Sequence, residues 1–205
     1  TFENDELVTG CPALGEDGTI YFATYSHTNT SSVYALNSDG TLKWHDEPGL
    51  VEGNVVLGAD GTLYVMVTEV VPMSAGNQTF GHIYAYDASG NVKWIHDTGD
   101  GSPVGLSVLR DDSIVASDSF GVVHLSAAGY ILRSQAYGDP ANGGLSINFS
   151  TFAEGKSGLL FASRYESDGV NASKSVVAMD PNDLSIVWSY ALSGTGGLHV
   201  TPALG

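Results

Sequence analysis

Cysteines and basic residues are scarce in this sequence, and each shortage excludes a class of site. Cys11 is the only cysteine among the 205 residues, so an internal disulfide is impossible and thiolate clusters for zinc or iron–sulfur centres are absent. The chain has 7 Lys and Arg against 23 Asp and Glu, which gives a net charge of −16. Because nucleic acids are bound through clustered basic side chains, this balance excludes nucleic acid as a partner.

Long apolar runs and helical periodicity are also missing. No segment reaches the roughly 18 consecutive apolar residues that a membrane-spanning helix needs, so we expect no membrane insertion. No stretch combines the apolar spacing and the caps of an amphipathic helix. Glycine is abundant, with 26 residues, and charged residues make up only 15% of the chain. Short strands joined by tight turns fit this composition best.

Internal repetition is the strongest positive signal in the sequence. The segment Gly10–Phe22 returns as Gly53–Val65, and Val33–Trp44 returns as Ile83–Trp94. Two weaker copies follow these. We place the four repeats at residues 8–49, 50–100, 101–140 and 141–194.

Each repeat predicts four short strands. Runs such as Thr19–Thr24 are rich in β-branched and aromatic residues, and Asp-Gly or Ser-Gly pairs bound them. These pairs suit hairpin turns because both residue types accept positive φ angles. The sequence therefore predicts an all-β fold, a β-propeller built of about four four-stranded antiparallel blades. Residues 1–205 would form a single propeller domain.

The motif that ends in Gly40-Thr41-Leu42-Lys43-Trp44, with its copies, resembles the PQQ-like (quinoprotein-type) propeller repeat. That family pairs an Asp-Gly-Thr-Ile-Tyr-Val hairpin with a Tyr-Ala-Leu-Asn…Gly…Trp hairpin, and the resemblance covers nearly the whole chain. It implies that three tryptophans pack between neighbouring blades: Trp44, Trp94 and Trp188. Ser134 takes the tryptophan position in the third repeat, so we expect that blade to dock less tightly.

The resemblance does not bring an active site with it. The quinone-dependent dehydrogenases of this family bind their cofactor on an eight-bladed ring. They use adjacent cysteines, a calcium-binding carboxylate and a catalytic aspartate. This sequence has one cysteine and no match to the segments that supply those groups. We therefore predict no cofactor.

The last residues, Leu198–Gly205, copy the first strand of the first repeat, Leu7–Gly15. Residues 195–205 would then be an extra first strand, and an unpaired strand edge is a template for pairing with another chain. One interpretation is self-association through Leu198–Gly205, which propagates head to tail into filaments. The alternatives are a four-bladed ring closed by this strand, or a fragment of a six- to eight-bladed protein.

Four Asn-X-Ser/Thr sequons predict N-linked glycans at Asn29, Asn77, Asn148 and Asn171. We expect three of them in enlarged loops between the second and third strands of their repeats, at Tyr25–Ser32, Thr68–Gly81 and Arg164–Lys174. Asn148 would lie in a strand. Glycans on one face indicate an extracellular, secreted protein; the alternative is unmodified polar loops.

No convergent catalytic group stands out in the sequence. The histidines are scattered without metal-binding spacing, and His45 and His96 follow the repeat tryptophans, which explains them by repetition. Four aspartates suggest weak calcium binding or solvated turns: Asp97, Asp100, Asp111 and Asp112.

Repeat chemistry without active-site chemistry leads to the expected function. We expect a secreted glycoprotein that is not an enzyme, a structural or self-assembling propeller module. The alternatives are a propeller that binds a protein or carbohydrate, and a fragment of a quinone-dependent dehydrogenase.

Overall fold

The computed structural model of this protein describes residues 7–25, 31–74, 76–138 and 146–193. Within these ranges the regular structure consists of strands, with no helix, and this confirms the predicted all-β class. The described residues accordingly contain no helix with the length and apolar character needed to cross a membrane. The chain divides into two compact units, Thr1–Pro103 and Val104–Gly205.

The first unit is one antiparallel sheet of seven strands in chain order. Its strands are β1 (Leu7–Leu14), β2 (Ile20–Tyr25), β3 (Ser31–Leu36), β4 (Leu42–Leu57), β5 (Leu63–Met73), β6 (Gly76–Tyr86) and β7 (Val92–Asp100). Strand β4 changes partner between Gly49 and Leu50, because its first half pairs with β3 and its second half with β5. We call β1 to the first half of β4 the first meander, and the second half of β4 to β7 the second meander.

Gly49 stands where β4 changes partner, and no other residue fits there as well. Its φ is 130°, which disfavours L side chains, and a Cβ on it would lie 3.0 Å from Val67 Cγ1. The glycine therefore lets one continuous strand serve two consecutive meanders.

The second unit contains two separate antiparallel sheets. The third meander consists of β8 (Gly105–Val108), β9 (Ile114–Ser117), β10 (Gly121–Leu125) and β11 (Ile131–Ala136). The fourth meander consists of β12 (Ser146–Phe149), β13 (Ala153–Glu154), β14 (Leu160–Ser167), β15 (Ala172–Met179) and β16 (Ile186–Ala191). Both β12 and β13 pair with β14, so together they replace the first strand of a four-stranded meander.

The prediction of long loops at Thr68–Gly81 and Arg164–Lys174 is wrong, because paired strands continue through most of both segments. Strands β5 and β6 stay paired from Thr68↔Gly81 to Met73↔Gly76. Strands β14 and β15 likewise stay paired as far as Ser167↔Ala172. The segment 68–73 carries the β-branched residues of a strand, which extend the hairpin ladder beyond the repeat's usual length. Asn29, most of Tyr25–Ser32 and all of Leu198–Gly205 lie outside the described residues.

A lysine clip ties the turn of the first hairpin to the last strand in the first meander. Asp17 accepts hydrogen bonds from the Thr19 amide at 2.9 Å and the Thr19 hydroxyl at 2.8 Å. Lys43 Nζ then reaches Asp17 Oδ2 at 3.0 Å and Thr19 Oγ1 at 2.8 Å. The second meander repeats the clip with Asp60, Thr62 and Lys93, at 3.1 Å and 2.6 Å. The Asp-Gly-Thr motif therefore both turns the chain and fixes the last strand of its meander.

Trp44 joins the first and second meanders. Its Nε1 donates to the Ala88 carbonyl oxygen at 3.2 Å, and its ring stacks on Tyr86 with centroids 5.7 Å apart. The ring fills the space of the missing side chain at Gly90, where a Cβ would lie 2.7 Å from Trp44 Cδ2. Around it lies the buried core of the unit, formed by Tyr21, Ala23, Val33, Ala35, Val51, Val55, Leu63, Val65, Val67 and Tyr86.

The pairing register corrects the expected position of the missing tryptophan. The three tryptophans each lie opposite an alanine, in the pairs Trp44↔Ala35, Trp94↔Ala85 and Trp188↔Ala178. In the third meander the corresponding pair is Arg133↔His124, so Arg133 and not Ser134 takes the tryptophan position. Arg133 Nε donates to the Asn182 carbonyl oxygen at 2.6 Å. His124 Nδ1 lies 3.1 Å from the Pro181 carbonyl oxygen. Polar contacts with the fourth meander thus replace an aromatic one.

The Asp17 clip makes stability depend on pH. Hydrogen bonds from the Thr19 amide and hydroxyl, followed by Lys43, lower the pKa of Asp17 from 3.8 to about 2. A lowered folded-state pKa adds stability that is complete above about pH 4 and is lost as the pH falls towards 2. We expect Asp17→Asn to lower the melting temperature at pH 7 and to match the unsubstituted protein near pH 2. Glu16→Gln removes an exposed charge next to the clip and should leave the melting temperature unchanged both at pH 7 and near pH 2. Equal effects of the two variants on the melting temperature would contradict this account.

Trp44→Ala should weaken the contact between the first two meanders. Truncating a tryptophan at such a contact costs about 3 kcal/mol of unfolding free energy. Trp188, whose side chain is 45% exposed, provides the matched control, and its truncation should cost about 1 kcal/mol or less. Urea unfolding followed by fluorescence measures both; similar losses would show that Trp44 has no special docking role.

Candidate active site

A cleft of about 590 Å³ opens in the first unit, between the end of the first meander and one face of the second. Its lining residues are Pro48, Gly49, Leu50, Thr68, Glu69, Val70, His82, Tyr84, Ile95 and Asp97. The face that supplies it is the core face of the second meander, on which Val65 and Val67 are buried. Glu69 is the next residue on that face, since side chains alternate along a strand. The cleft therefore begins where the apolar core ends.

His82 lies at the centre of this cleft, between two carboxylates. Its Nδ1 is 2.7 Å from Asp97 Oδ1, and its Nε2 is 3.3 Å from Glu69 Oε2. The imidazole is 17% exposed, whereas Glu69 is 61% exposed and Asp97 is 80% exposed. The ring is thus held in place while both carboxylates reach solvent. We call these three side chains the acid–base triad.

The strand register brings the triad together from distant positions in the sequence. His82 pairs with Val67 across β5–β6 and with Asp97 across β6–β7. Glu69 lies two residues beyond Val67, so it projects from the same face of the sheet. All three side chains therefore point into one cleft although they come from three strands.

A β-bulge directs Asp97 towards His82. Gly81 pairs with Gly99 and His82 with Asp97, which leaves Thr98 as the extra residue of β7. A Cβ on Gly81 would collide with Thr98 Oγ1, and Gly99 has a φ of 104°. Bulges of this kind re-aim side chains and are common next to active sites. The two glycines therefore permit the backbone shape on which the His82–Asp97 contact depends.

The triad departs from the repeat. In the first meander Tyr34 lies opposite His45, just as Tyr84 lies opposite Ile95 in the second. Ser32 therefore stands in the first meander where His82 stands in the second. A side chain needed only for folding would be expected to repeat with the scaffold. The histidine is thus an addition specific to the second meander.

Hydrogen-bond counting gives the triad two protonation states. Ionised carboxylates only accept hydrogen bonds, so an imidazole bonded to both Glu69 and Asp97 must donate from both nitrogens and carry a positive charge. A neutral imidazole keeps the shorter bond to Asp97 and leaves Nε2 as a base. His82 can therefore give or take one proton at Nε2 while Asp97 holds its ring.

Tyr84 is the neutral donor of the cleft. Its ring meets His82 edge-on, with centroids 6.5 Å apart, and stacks on Tyr86 at 6.0 Å. Burial, followed by the charges of Asp46, Glu69 and Asp97, raises the pKa of the Tyr84 phenol. The phenol therefore keeps its proton at neutral pH and can donate it in a hydrogen bond.

A smaller hollow of about 290 Å³ adjoins the triad. Glu69, His82 and Asp97 line it together with Val71, Phe80, Gly81 and Gly99. The acid–base triad therefore borders two spaces, one large enough for a small ligand and one suited to a water molecule or a leaving group.

The triad is not arranged as a metal site. Its two carboxylates lie on opposite nitrogens of one ring, so they cannot chelate a single ion together with it. No group of three histidine, cysteine or acidic side chains among the described residues could hold a metal ion. Two of the aspartates considered for calcium have other partners, because Asp97 contacts His82 and Asp111 accepts from the Ser113 amide at 3.0 Å.

The glycan acceptors lie apart from this cleft. Asn77 is exposed on β6 and pairs with Pro72, and Asn171 is exposed with its amide 3.3 Å from Asp168 Oδ2. Asn148 is partly buried in β12. Glycosylation at these positions stays a prediction.

The sequence does not reveal the triad, because its pattern predicts a loop at residues 68–81 where the structure has paired strands. Glu69 and His82 are 13 residues apart, and His82 and Asp97 are 15 apart, with no motif between them. The signal that could have found them is the β-branched run of residues 68–71, which extends the β5–β6 hairpin. A hairpin centred between Met73 and Gly76 places Glu69 and His82 near each other.

No family model matches this chain, and no curated protein matches it either. Solved structures do resemble it. A protein of unknown function from Bacteroides caccae is 12% identical with a TM-score of 0.51, and the match covers 92% of this chain and 62% of that one. The mannose phosphorylase MPT-4 from Leishmania mexicana is also 12% identical with a TM-score of 0.51. The match covers 92% of this chain and 69% of that one. A gluconolactonase from Xanthomonas campestris is 17% identical over 83% of this chain and 58% of its own, with a TM-score of 0.45.

These neighbours correct the expected function. The non-catalytic, structural or self-assembling module is wrong, because a structure that shares this chain's fold belongs to an enzyme, the mannose phosphorylase. The expectation that the chain is not an enzyme is wrong for the same reason. The repeats in the sequence belong to the scaffold, whereas His82, the centre of the acid–base triad, has no counterpart in the first meander. The PQQ-like resemblance stays a prediction.

Gly81→Ala should disturb both stability and the triad. The added Cβ meets Thr98 Oγ1, and overpacking of this kind costs about 1 to 3 kcal/mol of unfolding free energy. Thr98→Ala alone should cost little, since the Thr98 hydroxyl is buried without a hydrogen-bond partner among the described residues. The double variant should recover part of the loss, and the imidazole NMR signals of His82 should report whether its bond to Asp97 returns. Strictly additive losses would contradict the proposed clash.

Proposed function

We propose that this protein is a hydrolase in which His82, held by Asp97, acts as the general base. The substrate would carry an ester or lactone bond in a hydroxyl-rich, sugar-like molecule. The acid–base triad within the cleft of about 590 Å³ is the observation that carries this proposal. A titratable histidine beside two carboxylates in a concave site has the composition of an acid–base catalyst.

The triad can move a proton in both directions during one hydrolysis. When the exposed Glu69 side chain turns towards solvent, His82 Nε2 accepts a proton from a water molecule. The water oxygen bonds to the acyl carbon, the bond from that carbon to the leaving oxygen breaks, and Nε2 returns its proton to the leaving oxygen. Asp97 keeps the ring oriented and stabilises the imidazolium between the two steps.

The walls of the cleft fit a sugar-like body. Tyr84, Ile95, Val70 and Pro48 offer aromatic and apolar surface, and the carboxylates accept hydrogen bonds from hydroxyl groups. Tyr84 can donate to a carbonyl oxygen or to a substrate hydroxyl. A few polar groups on an apolar lining are typical of small-molecule sites.

Water is a better acceptor than phosphate in this cleft. The mannose phosphorylase with a similar fold supports the carbohydrate substrate class. Phosphate, however, needs basic side chains or exposed backbone amides, and the cleft is lined by no lysine or arginine from the described part of the chain. We therefore assign hydrolysis rather than phosphorolysis.

The finer architecture belongs to the same proposal. The four-stranded meanders, the repeated lysine clip and the Trp44 contact support blades of a β-propeller, with PQQ-like repeats as their sequence pattern. A secreted, glycosylated form remains in accord with the exposed Asn77 and Asn171.

The test is turnover of a panel of acetylated sugars and aldonolactones by the full chain and two isosteric variants. His82→Asn keeps a donor towards Asp97 but has no titratable nitrogen, and Asp97→Asn removes the charge that holds the ring. Loss of a general base lowers kcat by about 100-fold or more, so His82→Asn should do so with little change in KM. His45→Asn, which alters an exposed histidine of the first meander, should keep full activity. Unchanged kcat in His82→Asn, or no turnover by the unsubstituted chain, would contradict the proposal.

A further inference from the structure

We propose that the cleft selects substrates that carry an ammonium group, as an amino sugar does. This inference rests on the proposed function for the site, and it adds the charge of the substrate. It follows from the charges around Tyr84, from the absence of basic side chains in the lining and from the geometry of the acceptors.

Glu69 and Asp97 line the cleft together with Tyr84, and the charge of a third carboxylate, Asp46, also acts on the Tyr84 phenol. Asp46 comes from β4, Glu69 from β5 and Asp97 from β7, and the charges of all three act on Tyr84. Asp46 Oδ2 accepts a hydrogen bond from the Tyr86 hydroxyl at 2.8 Å, which holds that carboxylate next to the ring on which Tyr84 stacks. The phenol is therefore set in a negative environment that the protein holds in place.

Among the residues that the structure describes, His82 is the one basic side chain that lines the cleft. His82 offsets at most one carboxylate, and no lysine or arginine of the described ranges lines the cleft or the adjoining hollow. The two lysines of this unit, Lys43 and Lys93, are held by Asp17 and Asp60 in the turn clips. At least one of the two carboxylates that line the cleft therefore stays uncompensated, and a cationic substrate would complement it.

The acceptors are also placed for a compact cation with several donors. Glu69 and Asp97 are largely exposed and each uses one oxygen towards His82, so lone pairs on both remain for a ligand. An ammonium group has three N–H donors and also binds the face of a phenol ring such as that of Tyr84. An anionic substrate would meet only acceptors in the same place.

The experiment compares three sugars that share a ring and differ in charge: glucosamine, glucose and glucuronate. Each is titrated into the full chain at neutral pH, and binding is followed by the imidazole NMR signals of His82. One added ion pair near a protein surface changes affinity by about threefold to fivefold. We expect glucosamine to bind tighter than glucose by that factor, and glucuronate to bind more weakly than glucose.

Asp46→Asn tests the source of the preference. Asparagine can still accept the Tyr86 hydroxyl bond but removes one charge, so the preference for glucosamine should fall by about threefold. Asp39→Asn removes a charge in an exposed turn of the first meander and is the matched control, which should leave the preference unchanged. Equal loss in both variants would overturn the assignment to this cleft.

The outcomes separate this inference from the proposed hydrolase. Equal affinity for glucosamine and glucose overturns the inference, even if His82→Asn abolishes turnover and the hydrolase stands. A preference for glucosamine with unchanged turnover in His82→Asn supports the inference for the cleft and overturns the catalytic role. Displacement of glucosamine by calcium ions at equal concentration would assign the carboxylates to a metal and overturn the ammonium site.

Discussion

The pairing of β6 with its two neighbours is the constraint on which the site depends. Every second residue of β6 faces the first meander, and these residues pass from Tyr86 through Tyr84 to His82. A slip of one residue would turn His82 to the opposite face and leave Glu69 and Asp97 without it. The core holds the register, because Val65, Val67 and Tyr86 are buried on that same face. Burial of apolar side chains thus places the polar ones.

The molecule combines repeated parts with a few departures from them. The repeated parts are structural: the Asp-Gly-Thr turns, the lysine clips and the tryptophans opposite alanines. The departures bring in polar chemistry, at His82 in the second meander and at the His124–Arg133 pair in the third. The second of these is a docking contact, in which carbonyl oxygens of the fourth meander replace an aromatic surface. The first points into a cleft, and this difference in surroundings gives the two histidines different roles.

Local patterns predicted the scaffold well, since each depends on neighbouring residues. The strand runs and their turns follow from β-branched residues bounded by Asp-Gly pairs, and the structure confirms the all-β class. The triad could not be predicted in the same way, because its members are brought together by pairing between strands and by the extra residue Thr98. The register also corrects the repeat alignment, in which Arg133 and not Ser134 replaces the tryptophan.

By itself the sequence determined the all-β class, the repeat and the strong negative charge, because each is a property of local composition. Tertiary structure alone decided which of the acidic residues share one space with a histidine. Hairpin extension brought Glu69 beside His82, the bulge turned Asp97 towards it, and packing of the first meander placed Asp46 near Tyr84. The hydrogen bond that holds Asp46 joins it to Tyr86, 40 positions away, and the physical reason is that strand pairing and core burial, rather than sequence proximity, set the distances between side chains.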